Sequence, residues 1–98
     1  MIYTLQISEA AREDFLDSFH WYESVRLGLG EDFELCLEAA LESVSRSPKH
    51  CAIRYGNIRV KFTERFPFGI HYWIENDLIR VIGIYHSSRD PQIWQDRI

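Results

Sequence analysis

The chain changes its hydrophobic period near residue 52, and this change limits the folds that it can adopt. Before that point, apolar side chains recur every three or four residues, as they do in amphipathic helices. After it, apolar and polar residues alternate, as they do in strands that bury one face. A chain with its helices first and most of its strands last is expected to form an α+β sandwich, in which a helical layer covers one face of a sheet.

The first half of the chain predicts one short strand and two helices. Residues 2–7 alternate in polarity and predict the strand. Ser8 follows at an N-cap position, so a first helix is expected from there to the glycines of residues 28–30. A second helix is expected to end at Ser47-Pro48, because proline disfavours helical angles in the residue before it. The short glycine connection predicts that the two helices form an antiparallel hairpin.

The second half predicts three to four antiparallel strands in one twisted sheet. Residues 58–63 alternate in polarity, and two longer alternating runs flank Asn76-Asp77. These two residues tolerate positive φ and therefore suit a two-residue hairpin turn. In such a hairpin the numbers of paired residues sum to 153, so that His71 faces Ile82.

This register divides the predicted hairpin between two faces of the sheet. It turns Tyr85 toward the helices, and it turns His71, Arg80 and His86 toward the opposite face, called the open face below. A slip of one residue would exchange the two sets, because successive strand residues point to opposite faces.

Composition predicts a single globular domain that spans residues 1–98, since a chain of 98 residues can build one core but not two. No apolar run approaches the roughly 18 residues that cross a bilayer, and the N-terminus lacks the pattern of a signal peptide, so a cytoplasmic location is expected.

Cys36 and Cys51 form no CxxC pair and are expected to be reduced. His50 and Cys51 are adjacent and would point to opposite faces of a strand, so we expect no metal site, and the chain has no cofactor motif.

Charge is distributed unevenly along the chain. Residues 1–52 carry four Lys or Arg against ten Asp or Glu, which gives −6, whereas residues 53–98 carry seven against five, which gives +2. The net charge of −4 therefore averages an acidic helical half and a mildly basic strand half. Any basic surface is expected on the strands.

The cations of this strand half form the candidate site. Several are expected to converge on the open face, where they could bind a phosphate backbone, stabilise the charge of a phosphorane and move a proton without a metal. Alternatively, they pair with carboxylates or are simply solvated on the open face of an antiparallel sheet, which is common. Both interpretations remain open from the residues alone. The candidate residues, which would be catalytic if the protein is a nuclease, are Arg59, Lys61, Arg65, His86 and Arg89.

The end of the chain is interpreted as a structural cap that follows the candidate site. Asp90 suits an N-cap and Pro91 suits the first position of a helix, so a short helical turn is expected there. Ile93 and Trp94 of this turn would cover the core. The candidate site therefore ends at Arg89, and the cap begins after it.

Local motifs along nearly the whole chain carry a family resemblance. They are SEAARED, FHWYE and GLGEDFELCLEAALESV in the first half, and RFPFGIHY and HSSRDPQIW in the second. Together they resemble the RelE/ParE superfamily of bacterial type II toxins, also known as the plasmid stabilization protein family. The resemblance implies a small toxin that is made together with a cognate antitoxin, whose C-terminal segment wraps around the toxin and covers its hydrophobic grooves and active face.

The resemblance implies one of three functions. ParE-like members poison DNA gyrase, whereas RelE-like members are metal-independent endonucleases that cleave mRNA on the ribosome. The acidic net charge, the long helical hairpin and the GLGEDF connection favour the ParE-like function. Arg59, Lys61, Arg65 and His86 lie at positions similar to nuclease residues and keep the RelE-like function as the alternative. A third interpretation is a homologue that has lost its toxicity and only binds the antitoxin.

Overall fold

The computed structural model of the chain describes residues 2–88, which form two helices and five strands. In chain order these are β1 (Thr4–Ile7), α1 (Glu9–Val25), α2 (Leu29–Arg46), β2 (Ile53–Tyr55), β3 (Ile58–Phe62), β4 (Phe68–Glu75) and β5 (Leu78–His86). The strands form one sheet in the order β1-β5-β4-β3-β2. β1 runs parallel to β5, and the other neighbouring pairs are antiparallel. The predicted α+β fold is confirmed, with four strands after the helical hairpin.

Ser8 ends the first strand and begins the first helix, as predicted. Its backbone is extended, and its side-chain oxygen accepts a hydrogen bond from the Ala11 N–H at 3.1 Å. Its own N–H donates to the Val81 carbonyl at 3.0 Å, which continues the β1–β5 pairing by one residue. The Ser8 backbone thus extends the strand pairing, and its side chain satisfies a free amide of the α1 N-terminus.

The tip of the helical hairpin is held by Glu23, a residue that the sequence did not single out. Its Oε1 accepts hydrogen bonds from the Gly28 N–H at 3.0 Å and the Gly30 N–H at 2.8 Å. A carboxylate from α1 therefore caps α2, where negative charge is favourable and where Gly28, at φ 90°, has no side chain to act as the cap. A Cβ at Gly30 would lie 2.7 Å from the Glu23 Cγ and 2.8 Å from the Phe19 carbonyl oxygen, so the two helices need a glycine at this contact.

Aromatic rings fill the core between the helices and the sheet. Phe33 of α2 lies 5.2 Å from Tyr22 and 4.8 Å from Phe68 between ring centroids, and all three side chains are buried. Tyr72, fully buried in β4, donates its hydroxyl to the Pro48 carbonyl at 2.6 Å. This bond satisfies a buried polar group at the point where α2 has ended.

The β4–β5 hairpin follows the predicted register up to Tyr72 and departs from it at His71. The two-residue turn forms as predicted, and Tyr72 faces Val81. His71 faces Gly83, however, because Ile82 is an extra residue in β5 that forms a β-bulge. The prediction that His71 faces Ile82 is therefore wrong.

The bulge exchanges the two faces of β5 over its last residues. Ile84 and His86 point to the helical side, where Ile84 joins the core, and Tyr85 points to the open face, with its ring 4.8 Å from that of His71. The Ile84 N–H donates to the Asp14 carboxylate of α1 at 3.1 Å, which fixes the irregular stretch. The predicted orientations of Tyr85 and His86 are therefore wrong. Alternation could not reveal this, because apolar residues occupy both parities of β5.

Candidate functional site: a pocket on the open face of the sheet

The open face carries a concave pocket of about 330 Å³ between β2, β3, β4 and β5. We call it the open-face pocket. Its centre is a contact between Tyr55 of β2, His71 of β4 and Tyr85 of β5, which brings together residues far apart in sequence. The lining residues are Arg54, Tyr55, Val60, Phe62, Gly69, His71, Tyr85 and Ser87.

His71 is a buried histidine, only 2% exposed. Its Nδ1 shares a hydrogen bond with the Tyr55 hydroxyl at 2.8 Å, and the Tyr85 ring meets its ring edge to face. Burial lowers the pKa of His71 to about 4, because the charged imidazolium would lose its hydration, although the Asp14 carboxylate acts in the opposite direction. The imidazole is therefore neutral at neutral pH. The prediction that His71 lies on the open face is confirmed, although His71 was not among the candidate site residues.

Tyr55 of the pocket also stays uncharged. Burial, together with the nearby Tyr85, raises the pKa of Tyr55 to about 12. A phenol of this kind donates a hydrogen bond but is a poor source of phenolate at neutral pH. Tyr55 and His71 are thus uncharged at the centre of the pocket, and Arg54 supplies positive charge at its margin, with its guanidinium carbon 5.4 Å from the Phe62 ring centroid.

A glycine allows the Tyr85 ring to lie close to the sheet. A Cβ at Gly83 would overlap the Tyr85 ring, so this ring lies directly over the Gly83 backbone. A Cβ at Gly69 would lie 2.9 Å from the Val60 Cγ1 but 3.5 Å from the His71 Nε2, which is an ordinary contact, so the His71 ring does not require this glycine. Gly83 stands two residues before Tyr85 in β5, and this Gly-x-Tyr spacing is the sequence signal that could have identified the pocket, which sequence reasoning otherwise missed.

Arg59 and Lys61 were predicted to lie on the open face. In the structure they lie on the helical side of the sheet. They face Tyr72 and Ile70, whose side chains pack toward the helices. The Arg59 guanidinium donates to the Cys51 carbonyl at 2.6 Å and so holds the segment before β2. The apolar residues of β3, which alternate with these cations, take the open face instead. The predicted convergence of the two cations with the open-face residues is therefore wrong.

The remaining candidate cations are also separated. The His86 ring packs at 5.3 Å from that of Phe68 on the helical side, and its Nδ1 accepts a hydrogen bond from the Ser88 N–H at 3.1 Å. Arg65 lies in the turn after β3 at φ 69°, with its guanidinium 3.9 Å from the Asp32 carboxylate. Arg89, like the cap predicted from Asp90 onward, lies outside the described residues. The catalytic roles of these residues stay predictions.

Within residues 2–88, no group of three or more His, Cys, Asp or Glu side chains is arranged to hold a metal ion. Neither of the two described helices is both long and apolar enough to cross a membrane.

Comparison with known proteins places this architecture. Residues 5–91 match a family model described as the ParE toxin of the type II toxin-antitoxin system, parDE. A solved structure, described as the chromosomal ParDE TA system from P. aeruginosa, is similar with a TM-score of 0.78 at 15% sequence identity. That match covers 87% of this chain and 96% of the other and shows a shared fold. No curated protein sequence matches this chain at a significant level.

Proposed function

This chain belongs to the ParE toxin family of type II toxin-antitoxin systems, and from this membership we propose that it inhibits DNA gyrase until its cognate antitoxin neutralises it. The proposal has two parts. Membership of the family itself supports the first part, that the chain is the toxin of a two-component system. Gyrase as the target is the part that needs support from the molecule and a direct test.

The separation of the predicted catalytic cations is the observation that carries the proposal. Cleavage of RNA without a metal requires cations around the scissile phosphate and an acid or base within hydrogen-bond reach. Arg59 and Lys61 lie on one side of the sheet and the open-face pocket on the other, and Arg59 is engaged with backbone carbonyls. In the part of the chain that the structure describes, Arg54 is the one cation lining that pocket. This arrangement favours a toxin that acts by binding over one that cuts RNA.

Electrostatics supports the same choice. Docking against ribosomal RNA requires a strongly positive surface, since the phosphate backbone dominates the affinity of such contacts. The helical layer carries acidic residues on its outward faces instead, and the whole chain has a net charge of −4. A protein target tolerates this charge distribution better than an RNA target does.

A supercoiling assay tests the proposal. Protein freed from its antitoxin is titrated into DNA gyrase with relaxed plasmid, and loss of supercoiling is expected, with recovery when antitoxin is added. The same preparation is added to a translating extract, where transcripts are expected to stay intact. Normal supercoiling at saturating toxin would refute gyrase inhibition.

Two other outcomes identify the alternatives. Cleaved transcripts would support the RelE-like endonuclease, and cleavage should then fall by about 10²-fold or more in Arg65→Ala or His86→Ala if either residue is catalytic. An absence of any growth effect, with antitoxin binding retained, would indicate the non-toxic homologue. Circular dichroism of each variant checks that the fold survives.

A further inference from the structure

The outer edge of β1 is an unpaired strand edge. The backbone N–H groups of Thr4 and Ser8 donate to carbonyls of the β4–β5 turn and of β5, at 2.9 Å and 3.0 Å, and therefore point toward β5. Successive strand residues alternate in direction, so the N–H and C=O groups of Leu5 and Ile7 point away from β5. Within residues 2–88, no strand lies on that side of β1. This edge is therefore open to pairing with another strand.

β1 lacks the features that usually protect a sheet edge. Natural edge strands are blocked by charged residues, by proline, by β-bulges or by their short length. The opposite edge of this sheet has several of these features, because β2 is three residues long, carries Arg54 and shifts its register against β3. β1 reads TLQI, without charge or proline, and pairs with β5 over four consecutive residues without a shift. Of the two edges, β1 is thus the one that remains able to pair.

The helical layer leaves room beside β1. α1 packs mainly over β5, which is the inner neighbour of β1. Ile7, whose side chain lies on the helical side, is 41% exposed, and Ile2, just before the strand, is 89% exposed. Large apolar side chains beside an open strand edge are a feature of interaction surfaces. A second strand at this edge would extend the sheet and cover them.

The sequence of β1 is complementary to itself. In an antiparallel pair of two copies with Leu5 opposite Ile7, each of the two Leu5–Ile7 pairs exchanges two backbone hydrogen bonds, and their apolar side chains meet on the helical side. Gln6 then lies opposite Gln6 at the two-fold axis, on the open face. The Gln6 Oε1 accepts a hydrogen bond from Arg80 at 3.1 Å, and its amide nitrogen can donate to the Oε1 of the other copy.

We propose that two copies of this chain associate through β1 and join their five-stranded sheets into one continuous sheet. The partner is a second copy, because β1 carries no charge to attract a different partner, whereas an identical strand satisfies the outward backbone groups of Leu5 and Ile7 symmetrically. The contact is small, so the dimer is weak and depends on concentration. β1 contributes no residue to the open-face pocket, so both copies keep that pocket accessible.

Sedimentation of the free chain from about 1 µM to about 1 mM tests the proposal, with conversion from monomer to dimer as the expected result. Gln6→Glu keeps an acceptor for Arg80 but brings two carboxylates together at the axis. Its dimer should be at least about tenfold weaker, with the loss shrinking at high salt. Asn57→Asp is the matched control, because it makes the same change from amide to carboxylate in the exposed turn between β2 and β3. Mixing Gln6→Glu with Gln6→Lys should restore association, because opposite charges then meet at the axis.

Two residue-level measurements locate the contact. Hydrogen exchange at the Leu5 and Ile7 amides should slow as the concentration rises, whereas the Gln6 amide, which points to β5, should be protected in the monomer as well. On oxidation, Gln6→Cys should form a disulfide-linked dimer, because the facing Cα atoms would be about 4.5 Å apart. Thr4→Cys should form none beyond the wild-type background, because its two copies would be roughly 13 Å apart.

The outcomes that contradict the proposal are specific. A chain that stays monomeric at about 1 mM, or equal dimer affinities for Gln6→Glu and Asn57→Asp, would overturn it. Full protection of the Leu5 and Ile7 amides in the monomer would also overturn it and assign the edge to another segment of the chain. Protection that appears only when antitoxin is added would assign the edge to a strand of that partner instead. Unchanged thermal unfolding confirms that the variants fold, and a failure to inhibit gyrase would leave this proposal standing.

Discussion

The buried His71 should make the stability of the protein depend on pH in a predictable direction. Its pKa of about 4 in the folded protein lies below the ordinary value of 6.5. Between these two pH values, the unfolded chain therefore binds a proton at this histidine that the folded chain does not bind. Stability is therefore complete above pH 6.5 and is lost as the pH falls toward 4. At about 1.4 kcal/mol for each unit, the full loss is about 3 kcal/mol, and about 2 kcal/mol of it occurs by pH 5. That is a large part of the 5–15 kcal/mol by which typical domains are stable.

Urea unfolding between pH 7.5 and pH 5 measures this loss. In His71→Asn, the amide oxygen can replace Nδ1 as a partner of Tyr55 but cannot titrate, so the free energy of unfolding should vary by about 2 kcal/mol less over this range than in the wild type. His20→Asn is the matched control, because it makes the same substitution at an exposed histidine. A wild type whose stability is flat from pH 7.5 to pH 5, or a His71→Asn variant with the wild-type slope, would refute the reasoning.

Three further changes test the packing of β5 and the caps of the two helices, each by chemical denaturation at pH 7.5. Gly83→Ala should destabilise by about 1–3 kcal/mol, because its Cβ would overlap the Tyr85 ring, and the cost should disappear in a Tyr85→Ala background. Glu23→Ala should cost about 1–2 kcal/mol, since two amides of the α2 N-terminus lose their acceptor, whereas the outward-facing Glu13→Ala should change little. Ser8→Ala should cost about 1 kcal/mol, and Ser8→Asp, which keeps an acceptor, should restore most of it.

The fold followed from features that are local in sequence. Periodicity, the Ser8 cap and the two-residue turn after β4 are decided within a few residues, and all three predictions are confirmed. The parallel pairing of β1 with β5 was not predicted, because the residues within a strand do not indicate which distant strand it will pair with. The capping of α2 by Glu23 was missed for the same reason, since the acceptor belongs to another helix.

The candidate site was harder to predict, because it depends on one inserted residue. Up to Val81 the register was right, and the bulge at Ile82 then reversed every side chain that follows in β5. His86 thereby left the predicted site, and Tyr85 entered the pocket. Both parities of this stretch are apolar, so no hydrophobic pattern could locate the bulge. The spacing of Gly83 and Tyr85, two residues apart in β5, was the remaining clue.

The position of β5 also governs when the protein can become complete during its synthesis. This strand, the last in residues 2–88, lies inside the sheet between β1 and β4, so Thr4 pairs with Leu78, a residue 74 positions later. Pairings over such distances form late and slowly, because closing a long loop costs conformational entropy before any stabilising contact has formed. The first strand cannot pair until β5 has been synthesised, so the sheet stays incomplete on any fragment that ends before Leu78. A message truncated before this point should yield a chain without its inner strand and hence without the toxin fold.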